Sequence, residues 1–108
     1  MSTEEVLLRL SQTLASRRNA DPEKSYTAKL FAKGPDSILK KIGEESAELI
    51  MAAKDGKREN IVYESADLLY HMVALLTFYG IGTGEVLDEL QRREGTSGID
   101  EKKSRAAK

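Results

Sequence analysis

The 108-residue chain contains no cysteine and no tryptophan, and only two prolines and one histidine. Without thiols it has no disulfide, no thiolate nucleophile and no Cys-ligated zinc, a composition that suits a reducing cytoplasm. The single His71 also excludes the paired Glu-x-x-His signature of di-iron bundles, because Leu68 stands three positions before it. Charge of one sign is missing too. Seventeen basic and 18 acidic residues leave a net −1, so there is no general pull toward nucleic acid or an anionic membrane. The acidic start Met1-Ser2-Thr3-Glu4-Glu5 lacks a signal-peptide layout. The longest nearly apolar stretch, Met72 to Phe78, is far too short to span a bilayer. Strand signals are absent as well: no period-two alternation is sustained, and Asp55-Gly56 lies between helical patterns, not β-branched runs.

What remains is helical, and the predicted fold class is all-α. Ser2 and Glu5 have capping-box spacing ahead of the stripe Val6, Leu7, Leu10 and Leu14, which predicts a first helix over about 3–17. Residues 19–24 read as a loop around Asp21-Pro22. Ser25 to Lys33 reads as a short helix closed by Gly34. Pro35 suits the first position of a longer helix carrying Ile38, Leu39, Ile42, Leu49 and Ile50 and ended by Gly56. From Ile61 a run apolar on nearly every face continues to Gly80 and Gly82. Thr83 then opens a shorter helix with Val86, Leu87 and Leu90. A helix apolar all round has more surface than three thinner helices can cover, which predicts a bundle completed by homodimerisation, as a dimer or a higher even oligomer. The domain is expected over 1–95, followed by a disordered polar tail over 96–108.

Against this background two acidic signatures stand out, Glu44-Glu45-x-x-Glu48 and Glu64-x-x-Asp67, sixteen positions apart from Glu48 to Glu64. At about 100° per residue, Glu44 and Glu48 lie about 40° apart around their helix, and Glu64 and Asp67 are neighbours on theirs. An E-E-x-x-E string alone usually marks a solvated helix face. The second pair changes the reading, because Glu64 and Asp67 are the only acids in a run whose composition demands burial, and buried acids need a partner or a cation. If the two helices pack antiparallel across Lys54-Asp55-Gly56-Lys57, the five carboxylates converge on one cleft. Hard oxygen ligands of this kind favour Mg²⁺, with Mn²⁺ as a possible substitute. His71 falls within about 40° of both Glu64 and Asp67, on the same face; a lone histidine there is more often a hydrogen-bonding support than a base.

Lys40-Lys41-Ile42-Gly43-Glu44-Glu45-Ser46-Ala47-Glu48, followed by Tyr63-Glu64-Ser65-Ala66-Asp67-Leu68-Leu69-Tyr70-His71, resembles the phosphoribosyl-ATP pyrophosphatase family of the second step of histidine biosynthesis. The Ser25-Tyr26-Thr27 opening, the Lys33-Gly34-Pro35 turn and the Ala52-Ala53-Lys54-Asp55-Gly56 turn are similar to it too, over about residues 4–93. The acidic pair alone marks the wider MazG-like all-α nucleotide pyrophosphatases. The resemblance implies hydrolysis of the α–β phosphoanhydride of 1-(5-phospho-β-D-ribosyl)-ATP, giving phosphoribosyl-AMP and pyrophosphate. It implies Mg²⁺ held by Glu44, Glu45, Glu48, Glu64 and Asp67, which double as the catalytic candidates. Lys40 and Lys41, one turn before the glutamates, are phosphate-binding candidates, with Lys29, Lys33 and His71 as further substrate-binding candidates. Tyr26, Tyr63 and Tyr70 offer rings to adenine or ribose, or serve as core residues with a wet hydroxyl.

Two other readings share these residues. A MazG-like house-cleaning pyrophosphatase acting on non-standard nucleoside triphosphates would use the same metal chemistry with a different base pocket, and a non-enzymatic helical dimerisation module would carry its acids as surface charge. The chain has neither the length nor the Cys ligands for the zinc-dependent cyclohydrolase often fused to this activity, so the product is expected to pass to a separate protein.

Overall fold

The structure, a computed structural model, describes residues 5–95 and 97–106 and contains six helices among them, with no strand. They are α1 (Val6–Arg17), α2 (Tyr26–Ala32), α3 (Pro35–Asp55), α4 (Arg58–Phe78), α5 (Thr83–Arg92) and α6 (Gly98–Ala106). Ser2 of the expected capping box lies outside the described residues, and Glu5 is itself the N-cap of α1, without a side-chain bond.

Short-range chemistry sets most boundaries. Ser25 caps α2 by accepting the Ala28 N–H at 3.2 Å. Gly34 then takes φ 86° and ψ −178°, a conformation essentially reserved for glycine, and Pro35 starts α3 with its φ already set. Gly56, left-handed at φ 70°, ends α3 by donating its N–H to the Ala52 and Ala53 carbonyls. After Lys57 the chain turns directly into α4, and α3 and α4 lie along one another in the most extensive packing of the fold. A two-residue connection between packed helices makes them antiparallel, as the sequence predicts.

The core is small. Leu14 of α1, Leu30 and Phe31 of α2, Ile38 of α3 and Val73 and Ala74 of α4 are buried together, with Leu7, Leu10, Ile42, Leu75 and Phe78 packed against them. Arg18, just past α1, closes this cluster at one end. Its guanidinium stands 5.6 Å from the Phe31 ring centre and 5.2 Å from that of Phe78, and Nη1 donates to the Thr77 carbonyl at 3.2 Å. One planar cation thereby ties the ends of α1, α2 and α4.

The sequence predicts an α4 too apolar for the other helices of one chain to cover, and a single chain leaves much of it bare. Only His71, Val73, Ala74 and Thr77 of this helix are buried, while Val62, Leu69 and Met72 are 63%, 47% and 42% exposed. α1, α2 and α3 cover one side of α4 and leave an apolar groove on the other, where Leu69, Met72 and Leu76 face Val86 and Leu87 of α5. By length and composition alone α4, with mean hydropathy 1.2, is apolar enough to cross a membrane, although Glu64, Asp67 and His71 interrupt one face. Beyond Gly95, where the sequence predicts a disordered tail, the structure carries α6, with Gly98, Ile99 and Asp100 exposed in its first turn.

Replacing Arg18 with Ala should lower stability by about 1–2 kcal/mol, combining a lost hydrogen bond with a lost cation–ring contact. Arg18→Lys should fall between the two, since a lysine keeps charge but loses the planar stack. Urea denaturation midpoints measure both; an unchanged midpoint for Arg18→Ala would mean that the clasp contributes nothing.

Candidate active site

The acids meet at the seam between α3 and α4. α3 supplies Glu44, Glu45 and Glu48, and the facing side of α4 supplies Glu64, Asp67 and His71. Glu45 is buried, at 8% exposure, and Glu64 and Asp67 are half-buried. Their electrostatics record the crowding. Burial first, and then the close Glu48 carboxyl and the charges of Asp67 and Glu45, push the Glu64 carboxyl above its ordinary range. Burial also raises the Glu45 carboxyl; His71 opposes the shift, while Asp67 and Glu48 reinforce it. Glu44 lies at the margin: it is exposed, and its charge is felt at Tyr26 but is not among the chief influences on Glu45 or Glu64.

His71 is the hinge of the site. Nδ1 lies 3.1 Å from the Asp67 carbonyl oxygen, one turn back on α4, and Nε2 lies 2.7 Å from the Tyr26 hydroxyl. A carbonyl only accepts, so Nδ1 carries the hydrogen; in the neutral ring Nε2 must then accept the Tyr26 O–H. Burial, followed by the Glu45, Tyr70, Asp67 and Glu44 charges, raises the Tyr26 phenol above its usual value and so keeps it a donor. Nδ1 also stands 2.5 Å from Glu45 Oε1, yet that oxygen has no partner in hydrogen-bond alignment, because the N–H is directed at Asp67. Tyr26, His71 and Glu45 thus form one connected line from α2 to α3 through α4. Tyr70 steadies it: its hydroxyl bonds Thr27 Oγ1 at 2.6 Å, and its ring meets His71 edge-on at 5.2 Å.

Two cavities border Tyr26, and neither is lined by the acids of the seam. A pocket of about 210 Å³ is lined by Tyr26, Lys29, Leu30, Lys33, Ser37 and Lys41, and a wider open groove of about 680 Å³ by Pro22, Glu23, Lys24, Ser25, Tyr26 and Lys29. The larger cavity lacks acids except Glu23 and is exposed loop surface, so the acidic seam, not cavity size, marks the chemistry.

The donor set at the seam fits a hard divalent cation in kind, being all carboxylate oxygen, and Glu64 Oε2 is shielded from solvent with no hydrogen-bond partner in alignment. In their present positions no three acids or histidines among the described residues are gathered closely enough to hold an ion. Mutual repulsion of like charges acts against such an approach.

The family described as phosphoribosyl-ATP pyrophosphohydrolase matches residues 7–94. The chain belongs to that family. It is 71% identical, over the full length of both chains, to a phosphoribosyl-ATP pyrophosphatase of Dechloromonas aromatica. It is 55% identical to one of Aromatoleum aromaticum, over 94% of each chain, and 52% identical to one of Nitrosospira multiformis, over 99% of this chain and 88% of the relative. These pyrophosphohydrolases are not membrane proteins, so the apolar length of α4 serves helix packing.

The structure sorts the candidates that the sequence put forward. Glu45, Glu48, Glu64 and Asp67 come together, with Glu44 beside them. Of the lysines, Lys29, Lys33 and Lys41 share the small pocket, whereas Lys40 is exposed and lines neither cavity beside Tyr26. His71, counted among substrate-binding candidates, is buried with both ring nitrogens engaged. Tyr63 is 65% exposed. Helical periodicity missed the donor role of Tyr26, because the direction in which α2 leaves the 18–25 loop decides it.

Because the raised carboxyl of Glu64 binds its proton more tightly in the folded than in the unfolded chain, its contribution to stability is present below the ordinary carboxylate value of 4.5 and is lost as pH rises through the folded value. Glu64→Gln removes this loss. In EDTA, the melting temperature of Glu64→Gln relative to wild type should therefore be higher at pH 7.5 than at pH 5. An offset that does not change between the two pH values would contradict the crowding argument.

Proposed function

We propose that this chain hydrolyses 1-(5-phospho-β-D-ribosyl)-ATP to phosphoribosyl-AMP and pyrophosphate, the second step of histidine biosynthesis. Family membership supplies the substrate class. The observation that carries the site is the seam of four carboxylates with the shielded, unpartnered Oε2 of Glu64 among them. Four acids crowded on one seam, three of them buried or half-buried, are a poor structural device, and they suit the capture of a cation that accompanies a polyphosphate.

Glu45, Glu48, Glu64 and Asp67 would hold Mg²⁺, or Mn²⁺ in its place, with Glu44 near enough to assist. Bound there, the cation supplies charge neutralisation at the phosphate oxygens and acidity toward a water. The chain's own residues do the rest. Asp67 and Tyr26 fix the His71 ring, and the ring fixes the side of the Glu45 carboxylate it touches. The cysteine-free composition and the nucleotide substrate suit the cytoplasm.

A second copy of the chain is the proposed cover for the groove between α4 and α5. The exposed Leu69, Met72, Val86 and Leu87 form a contiguous apolar surface of the kind that soluble monomers rarely leave bare. Light scattering at micromolar concentration should give a dimer or an even multiple of one, and a folded monomer would refute this.

With phosphoribosyl-ATP as substrate, pyrophosphate release should require Mg²⁺ and stop in excess EDTA. Glu48→Gln and Asp67→Asn should each lower kcat/KM by about 100-fold or more while leaving metal-free melting unchanged or slightly raised, and Mg²⁺ should stabilise them less than wild type. Large destabilisation of the metal-free variants with an intact Mg²⁺ response would show that these acids belong to a structural charge network.

A further inference from the structure

The substrate proposed above carries two anionic ends: the triphosphate, and a phosphate monoester on the ribose attached to the other side of the purine. The acidic seam, with its cation, accounts for the first. From the geometry we infer that the pocket of Lys29, Lys33 and Lys41 binds the second, so that these lysines select the phosphoribosyl arm and distinguish this substrate from an ordinary nucleoside triphosphate. The inference rests on the hydrolase reading and assigns a substrate group to a part of the site for which that reading names none.

Four observations support it. Lys29 of α2, Lys33 at its C-cap and Lys41 of α3 all line one cavity with no acid in its wall. None of the ion pairs found among the described residues engages any of the three. Three unopposed cations around one hollow repel one another and favour a doubly charged anion, for which ammonium groups are strong point donors. The volume, about 210 Å³, is below the ~300–1,000 Å³ of pockets that enclose a whole drug-sized ligand, which suits one arm of a long substrate.

Position supplies the last link. Tyr26 belongs to both regions: its hydroxyl reaches His71 and through it Glu45, while its ring, half exposed, lines the lysine pocket. A ligand with its anhydride at the acids and another anion among the lysines must therefore pass across Tyr26, a flat surface for the sugar or base between them. Ser37, in the first turn of α3, adds a hydroxyl to the same wall.

The test compares phosphoribosyl-ATP with its 5-dephosphorylated analogue, 1-ribosyl-ATP, in wild type, Lys33→Met and Lys41→Met, with circular dichroism confirming the fold of each variant. Wild type should prefer the phosphorylated substrate in kcat/KM, and each variant should lose about 10- to 100-fold of that preference, chiefly through KM. Equal losses on both substrates would overturn the proposal, since the lysines would then serve the triphosphate or the departing pyrophosphate. Titration in EDTA gives a reading independent of turnover. Ribose 5-phosphate, but not ribose, should shift the amide resonances of Lys29, Leu30 and Ser37 in wild type and not in Lys33→Met. If wild type hydrolyses neither nucleotide, the hydrolase reading fails and this titration alone decides the phosphate site; no shift with ribose 5-phosphate overturns it.

Discussion

Carboxylates brought together in a half-buried seam repel one another, and the arrangement of this small bundle follows from how that repulsion is contained. Two acids on one helix are tolerable when each faces water; here Glu45 and Glu48 on α3 confront Glu64 and Asp67 on α4, and burial and proximity both lift the carboxyl groups of Glu45 and Glu64. The favourable packing of Ile38, Ile42, Val73 and Ala74 along the same two helices opposes the cost. The result is a rigid scaffold that presents concentrated negative charge without relying on mobile loops.

The second feature is the separation of charge by Tyr26. On one side its hydroxyl joins a buried histidine and a glutamate; on the other its ring borders three lysines. Regions of opposite charge this close would neutralise one another through direct ion pairs if flexible side chains spanned the gap. A phenol is stiff and already neutral at physiological pH, and burial with the nearby acids raises its ionisation further. Each side therefore retains a field of its own sign.

Helices and their limits were legible in the sequence because local chemistry determines them. Ser25, Gly34-Pro35, Gly56 and Thr83 mark boundaries within a residue or so of those observed, and the convergence of Glu45 and Glu48 with Glu64 and Asp67 follows from turn length and the 3.6-residue period. Relations between helices distant in sequence were not. That His71 accepts from Tyr26, that Arg18 is held between Phe31 and Phe78, and that Lys41 joins the pocket while Lys40 does not all depend on how α2 lies across α3 and α4, and periodicity says nothing about that angle. Composition leaves one thing about α4 open: apolar residues on every face demand cover without saying which chain provides it.

The two-residue link between α3 and α4 also orders events in time. Closing so short a loop costs little chain entropy, and contacts within one helical hairpin rank among the fastest a chain can make. The acidic half of the site therefore assembles from a single local unit. The Tyr26–His71 bond joins residues 45 apart and must wait until α2 docks against that unit. In a chain emerging from the ribosome, Tyr26 is made before its histidine, so their hydrogen bond waits for residues 45 positions further on.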